Sequence, residues 1–169
     1  MKKLVSTLFL FIATISFAQK HIEPWHLKAK ETAILSFKTN DNKFITVAKA
    51  NDNTYVVFRM GTKDHVEFEF PKDKTPESLQ SFKYAFFLRG GGPENEGMDI
   101  NHLYFEDDQN KYVVFDTYYA STDSHRIGVT ITSKSNPEDI KDIKGVVKNE
   151  FGALSDFRTN KLVSVTEEY

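Results

Sequence analysis

The chain has 169 residues, 40% of them hydrophobic and 27% charged, with a formal net charge of −2. Those proportions exclude a disordered, collagenous or multiply membrane-spanning chain and leave a globular one. There is no cysteine, which removes a disulfide scaffold, a thiol nucleophile, cysteine-ligated zinc or iron–sulfur sites and a lipid-modified cysteine.

In chain order, the first element is an address. Lys2 and Lys3 precede an apolar run over residues 4–17, and Ser16 and Ala18 place small side chains where a signal peptidase reads, the pattern of a cleavable secretory signal over residues 1–18. The run is too short and too interrupted by Ser6, Thr7, Thr14 and Ser16 to span a ~30 Å hydrocarbon layer. The mature chain is therefore expected to start near Gln19, to carry no membrane span and to reside in the periplasm or outside the cell. Losing two lysines and no acid makes it more acidic than the precursor. That argues against nucleic acid, which selects a basic face, and suits a cationic partner. Residues 19–169 are enough for one core, and no linker or repeat divides them.

From there the pattern has period two. Ala33, Leu35 and Phe37 alternate, Asn40-Asp41-Asn42 turns the chain, and residues 43–49 complete a hairpin. Asn51-Asp52-Asn53 turns it again into a β-prone run over residues 54–60. Val66, Phe68 and Phe70 alternate with Glu67 and Glu69, giving one wet face. Phe82, Tyr84, Phe86 and Leu88 share one face of a further strand, as do Leu103, Phe105 and the polar Asn101 of the next. Residues 111–120 are apolar or aromatic on both faces, which predicts a central strand covered on two sides. Ile127, Val129 and Ile131 follow, with weaker strands at 142–148 and 161–167. Helical signals are confined to a turn or two after Thr75-Pro76-Glu77 and one at Pro137. The sum is an all-β chain: a single antiparallel β-sandwich or small β-barrel of about eight or nine strands.

Motifs for catalysis are missing. His21, His26, His65, His102 and His125 show neither i, i+4 nor His-x-His spacing, so no metal ligand set is expected. Asp123-Ser124-His125 holds the residue types of a hydrolytic triad, but neighbours in a turn do not converge as a relay must. Glu67 and Glu69, about 7 Å apart on one strand face, are read as the polar outside of an antiparallel strand in preference to a carboxylate pair. No catalytic residue and no cofactor is expected.

The segment Arg89-Gly90-Gly91-Gly92-Pro93-Glu94-Asn95-Glu96-Gly97 gathers half of the glycines between two strands. It lacks the Gly-Lys-Ser/Thr of a phosphate loop and reads as a long hairpin loop, either merely permissive or a probe that approaches another surface closely. Arg89, Gly90, Gly91, Gly92, Glu94 and Glu96 are accordingly the candidate partner-binding residues. Tyr118 and Tyr119 join them because one of two consecutive strand tyrosines must face away from the other, and exposed tyrosine suits contact surfaces. Trp25, behind Pro24, is expected to pin the N-terminal arm to the body.

Three segments, Tyr55-Val56-Val57-Phe58-Arg59-Met60-Gly61, Lys111-Tyr112-Val113-Val114-Phe115 and Gly128-Val129, resemble small bacterial periplasmic proteins related to the proteinaceous lysozyme inhibitors, the invertebrate-type inhibitor group above all. The resemblance implies a non-enzymatic exported β-domain that occludes a cell-wall-degrading enzyme as an inhibitor or immunity protein. Phe37 and Ala48 stand where members often carry cysteines, and the Ser-Gly-x-x-Tyr loop that such inhibitors insert into the enzyme is absent. No inhibitory residue is carried over, and loop 89–97 is the analogous projection. Two other functions are compatible with the residues: a barrel enclosing a small apolar ligand, and a glycan hydrolase, which needs two converging carboxylates.

Overall fold

The computed structural model describes residues 23–167, so the signal peptide expected at residues 1–18 lies outside the described residues. Two meanders face one another. The first comprises β1 (Glu31–Lys38), β2 (Phe44–Ala50), β3 (Val56–Thr62) and β4 (His65–Phe70). The second comprises β5 (Lys83–Arg89), β6 (Met98–Glu106), β7 (Asn110–Tyr119), β8 (Ser124–Ser133) and β9 (Ile140–Lys144). The chain then crosses back. β10 (Phe151–Gly152) adds antiparallel to β1, and β11 (Ser164–Val165) adds parallel to β5. The sheet orders are β10-β1-β2-β3-β4 and β11-β5-β6-β7-β8-β9. The fold is thus an all-β sandwich of two separate sheets, not a closed barrel, and the eleven strands among the described residues exceed the expected eight or nine. The two shortest, β10 and β11, have two residues each.

The period-two residues meet between the sheets. Phe37, Ile45, Val47 and Phe58 from one sheet oppose Tyr84, Leu103, Phe105, Tyr112, Val114 and Val129 from the other. Phe105 stacks on Tyr112 at 4.7 Å between ring centroids and on Phe70 at 4.8 Å, while Phe58 lies 4.9 Å from Phe105. Each large apolar side chain taken fully out of water contributes about 1.5–3 kcal/mol. The centre is filled with rings, so the space a barrel-type carrier would use for its ligand is occupied by side chains.

Two expectations need correction. β7 lies between β6 and β8, but only its inner face is covered by another layer. Outward-facing Val113, Phe115, Thr117 and Tyr119, with His102, Tyr104, Arg126, Thr130, Asp142 and Lys144, line an open cleft of about 470 Å³. These side chains bury themselves sideways against one another. Phe115 crosses to the position opposite Gly128, where an added Cβ would sit 2.5 Å from its ring. The strand expected at 142–148 ends instead at Lys144. Gly145 still donates to the Ile127 carbonyl at 2.8 Å, but Val146 donates to Lys38 of the opposite sheet at 2.8 Å. The backbone changes sheets there and a 3₁₀ turn, Val147–Asn149, follows.

The outer face of the five-stranded sheet is covered by the arm formed by residues 23–30. Trp25 packs on Phe44 at 4.5 Å, its N–H donates to Ser36 Oγ at 3.3 Å, and its carbonyl accepts from Thr46 Oγ1 at 2.6 Å. Trp25 does pin the arm. Beneath it Arg59, wholly buried, donates from Nη1 and Nη2 to Glu31 at 2.6 and 2.7 Å, from Nε to Glu69 at 2.5 Å, and from Nη1 to the His26 carbonyl at 2.9 Å. Glu69 therefore does more than wet an edge strand. Its burial favours the neutral acid, but donors from Lys74, Arg59 and Lys28 outweigh that and hold its pKa at about 2. Glu67 does point to solvent, where it pairs with Lys43. Among the described residues no helix is long and apolar enough to cross a membrane.

Candidate functional site

One end of the six-stranded sheet carries what the sandwich leaves uncovered. Residues 87–96 are exposed throughout, yet the loop they form is held in shape by its own hydrogen bonds. Gly97 donates to the Gly92 carbonyl at 2.8 Å, Glu96 to Pro93 at 3.2 Å, and the Asn95 amide to the Gly91 carbonyl at 3.0 Å, closing a 3₁₀ turn over Pro93–Asn95. Gly91 and Gly92 have φ of +105° and +65°, which explains why glycine stands at both. Arg89 and Glu96 form a solvent-exposed ion pair at 3.2 Å across the loop's base. Glu94 projects into solvent. The loop expected from sequence is a shaped projection.

The tyrosines lie beside it. Met98 pairs with Tyr119 and Asp99 with Tyr118, and Ala120 donates to the Gly97 carbonyl at 2.8 Å, joining the β7–β8 turn to the loop. As alternation requires, the two side chains part. Tyr119 lines the outer cleft, whereas Tyr118 faces the sandwich side, is 40% exposed and donates to Asp123 at 3.1 Å. This acceptor, with some burial, raises the Tyr118 pKa. The fold thus brings Arg89, Gly90, Gly91, Gly92, Glu94, Glu96 and Tyr118 to one end, with Tyr119 turned to the adjoining cleft.

Cross-strand register reveals a row not apparent in the sequence. Leu88, Asp99, Tyr118 and His125 are successive partners across β5, β6, β7 and β8, forming a ledge just beyond the core. Leu88 is 59% exposed. The next row inward is Phe86, Asn101, Asp116 and Ile127. Arg158, from the helix α1 (Phe157–Asn160), caps both rows by donating to Asp99 and, at 2.6 Å, to Asn101, with its guanidinium 5.0 Å from the Phe86 ring centroid. Tyr84 donates to the same Asn101 oxygen at 2.5 Å.

At the far end of these rows three donors converge. His125 Nε2 lies 2.9 Å from Asp116 Oδ1 and 3.5 Å from Glu150 Oε2, and one ligand atom from each residue lies within 4.8 Å of the others. Asp116 Oδ2 accepts the Leu154 N–H at 3.0 Å. The Asp116 and Glu150 side chains are 9% and 11% exposed, that of His125 32%. Burial, reinforced by the Asp116 charge and partly offset by His125, pushes the Glu150 pKa up to about 7. Histidine spacing gave no hint of this cluster because its members sit on β7, β8 and the crossover. A legible signal was Asp116 itself, a charge on the same strand face as Tyr112 and Val114.

Set against protein-family models, curated proteins and solved structures, the chain has no match.

Proposed function

We propose that this chain is an exported, non-enzymatic binding domain that occludes a cell-wall-degrading enzyme of the lysozyme type, gripping it with the end of the six-stranded sheet that carries loop 89–97. The observation that carries this reading is the exposed edge formed by Leu88, Tyr118 and the self-bonded glycine loop. A ledge that exposes Leu88 and Tyr118 beside a preshaped projection suits insertion into a cleft, because little ordering entropy is lost on binding. Leu88 and Tyr118 act as the buried anchors, each worth about 2 kcal/mol or more at a good interface. Glu94 opposes a cationic rim, and Arg89–Glu96 fixes the loop's base. The segments that resemble the lysozyme-inhibitor group add the partner class.

Two structural facts weigh against the other functions. A carrier needs an interior space that rings fill here. A glycan hydrolase needs two carboxylates converging in an open groove, whereas the converging pair described above, Asp116 and Glu150, is about nine-tenths buried. The test is muramidase inhibition. Purified protein should suppress peptidoglycan hydrolysis in proportion to dose, and the quadruple variant Leu88→Ser, Arg89→Ala, Glu94→Ala, Tyr118→Ala should bind at least 30-fold more weakly while melting within a few degrees of the parent. Equal inhibition by parent and variant would reject this surface.

A further inference from the structure

We propose that Asp116, His125 and Glu150 form a binding site for a borderline divalent transition-metal cation, zinc being the best fit, which staples the sheet-to-sheet crossover to β7 and β8. The proposal is independent of the partner-binding reading. It starts from charge. Two carboxylates, each about nine-tenths buried, and one imidazole present their ligand atoms within 4.8 Å of one another. Arg158, which caps the same rows, is spent on Asp99 and Asn101. Buried carboxylates need a compensating cation, and a divalent ion neutralises both.

The geometry is that of an ion-binding set. Zinc held tetrahedrally at about 2.0–2.2 Å from nitrogen and carboxylate oxygen implies donor-to-donor edges of about 3.3–3.6 Å. The His125–Glu150 edge is 3.5 Å, and the Asp116–His125 edge, a 2.9 Å hydrogen bond without the ion, would open by a few tenths of an ångström as the ion replaces the shared proton. The remaining Asp116–Glu150 edge is within 4.8 Å, and an ion would have to draw in Glu150, the residue that follows the 3₁₀ turn Val147–Asn149, to close it. Asp116 is already aimed, because the Leu154 N–H holds its other oxygen, the outer-sphere arrangement that orients metal ligands. Imidazole among the donors selects zinc-like ions over calcium and magnesium, which take all-oxygen shells. Three protein donors leave a fourth coordination position for water.

The location gives the ion a role. Glu150 immediately precedes β10, the strand that leaves the six-stranded sheet to pair with β1. A bound ion would fasten that departure to β7 and β8 in a chain with no disulfide to do so. Untagged protein, stripped with chelator and titrated calorimetrically with zinc, is expected to bind one equivalent with Kd below about 1 µM. At a hundredfold excess over Kd its thermal midpoint should rise by about 5–10 °C. Glu150→Gln, which keeps the side-chain shape, and His125→Ala should each weaken zinc binding at least 10-fold, while His65→Ala leaves it unchanged. Calcium and magnesium should bind at least 100-fold more weakly than zinc. Failure of the parent protein to bind zinc below 100 µM, equal affinity in Glu150→Gln and the parent, or calcium binding as tight as zinc would overturn the assignment.

Discussion

Arg59 organises the outer face of the first sheet. Its guanidinium is fully buried and shared by Glu31, Glu69 and the His26 carbonyl. Removing one partner of such a cluster leaves a charge with neither water nor counter-ion, at a cost of about 3–5 kcal/mol. Arg59→Met should therefore lower the urea midpoint severely. Glu67→Gln, which breaks the exposed Lys43 pair, should change stability by less than about 1 kcal/mol, and similar losses in the two variants would show that burial does not set the difference. The same cluster fixes an acid limb. The Glu69 pKa is depressed from 4.5 to about 2, and that of Glu31 is lowered as well: burial opposes ionisation, but hydrogen bonds from Arg59 and Lys28 prevail. For a depressed carboxyl the stabilisation is complete above the unfolded value and is lost as pH falls through the folded one. The contribution of Glu69 and Glu31 should be constant from pH 7 to about 5 and decline toward pH 2, with a shallower decline in Glu69→Gln; Glu150, whose folded pKa is raised to about 7, acts in the opposite sense and adds stability as pH falls from about 7 toward its unfolded value. At this scale the sequence is only half legible. Arg59 stands out as a charge inside Val56-Val57-Phe58-Arg59-Met60, yet its partners lie on β1 and β4 and become neighbours only through strand pairing.

Among the elements, strands with strict alternation were readable and those released from it were not. β1 to β8 follow the turn residues and the period-two apolar positions closely, because one buried face specifies register. The crossover was not readable. Gly145 is packed under Phe37 and Ile127, where a Cβ would sit 2.6 and 2.7 Å from their atoms, and this tertiary constraint has no local sequence signature. The apolar outer face of β7 misled for a related reason: its side chains cover one another over Gly128 without a second layer. Gly128→Ala should cost about 1–3 kcal/mol or more by overpacking against the Ile143 carbonyl oxygen and the Phe115 ring, measured by denaturant unfolding, and a neutral result would mean that both β9 and Phe115 give way freely. The loop between β5 and β6 bears no core residue, so replacing residues 90–96 by Asn-Gly, which with Gly97 makes a three-residue turn across the Arg89–Met98 pair, should leave the thermal midpoint within a few degrees while abolishing partner inhibition. Its glycine content advertised the projection; Leu88 and the ledge it shares with Tyr118 emerged only from cross-strand register.

The whole molecule is a sandwich whose end is plugged by its C-terminal segment. Leu154 and Phe157 are fully buried, and Phe157 lies 5.6 Å from Tyr84 between ring centroids. Phe157→Ala should cost about 3–5 kcal/mol, read as a cooperative loss in thermal unfolding, because the segment joins both sheets; a loss below 1 kcal/mol would mark it as an accessory flap. This plug leaves the loop end of the six-stranded sheet as the protruding feature, and the proposed function rests on that end. The most direct trial is muramidase turnover of peptidoglycan with the purified protein in molar excess. Hydrolysis should stop with the parent protein and resume when loop 90–96 is replaced. Undiminished hydrolysis in the presence of folded parent protein would contradict the proposed function.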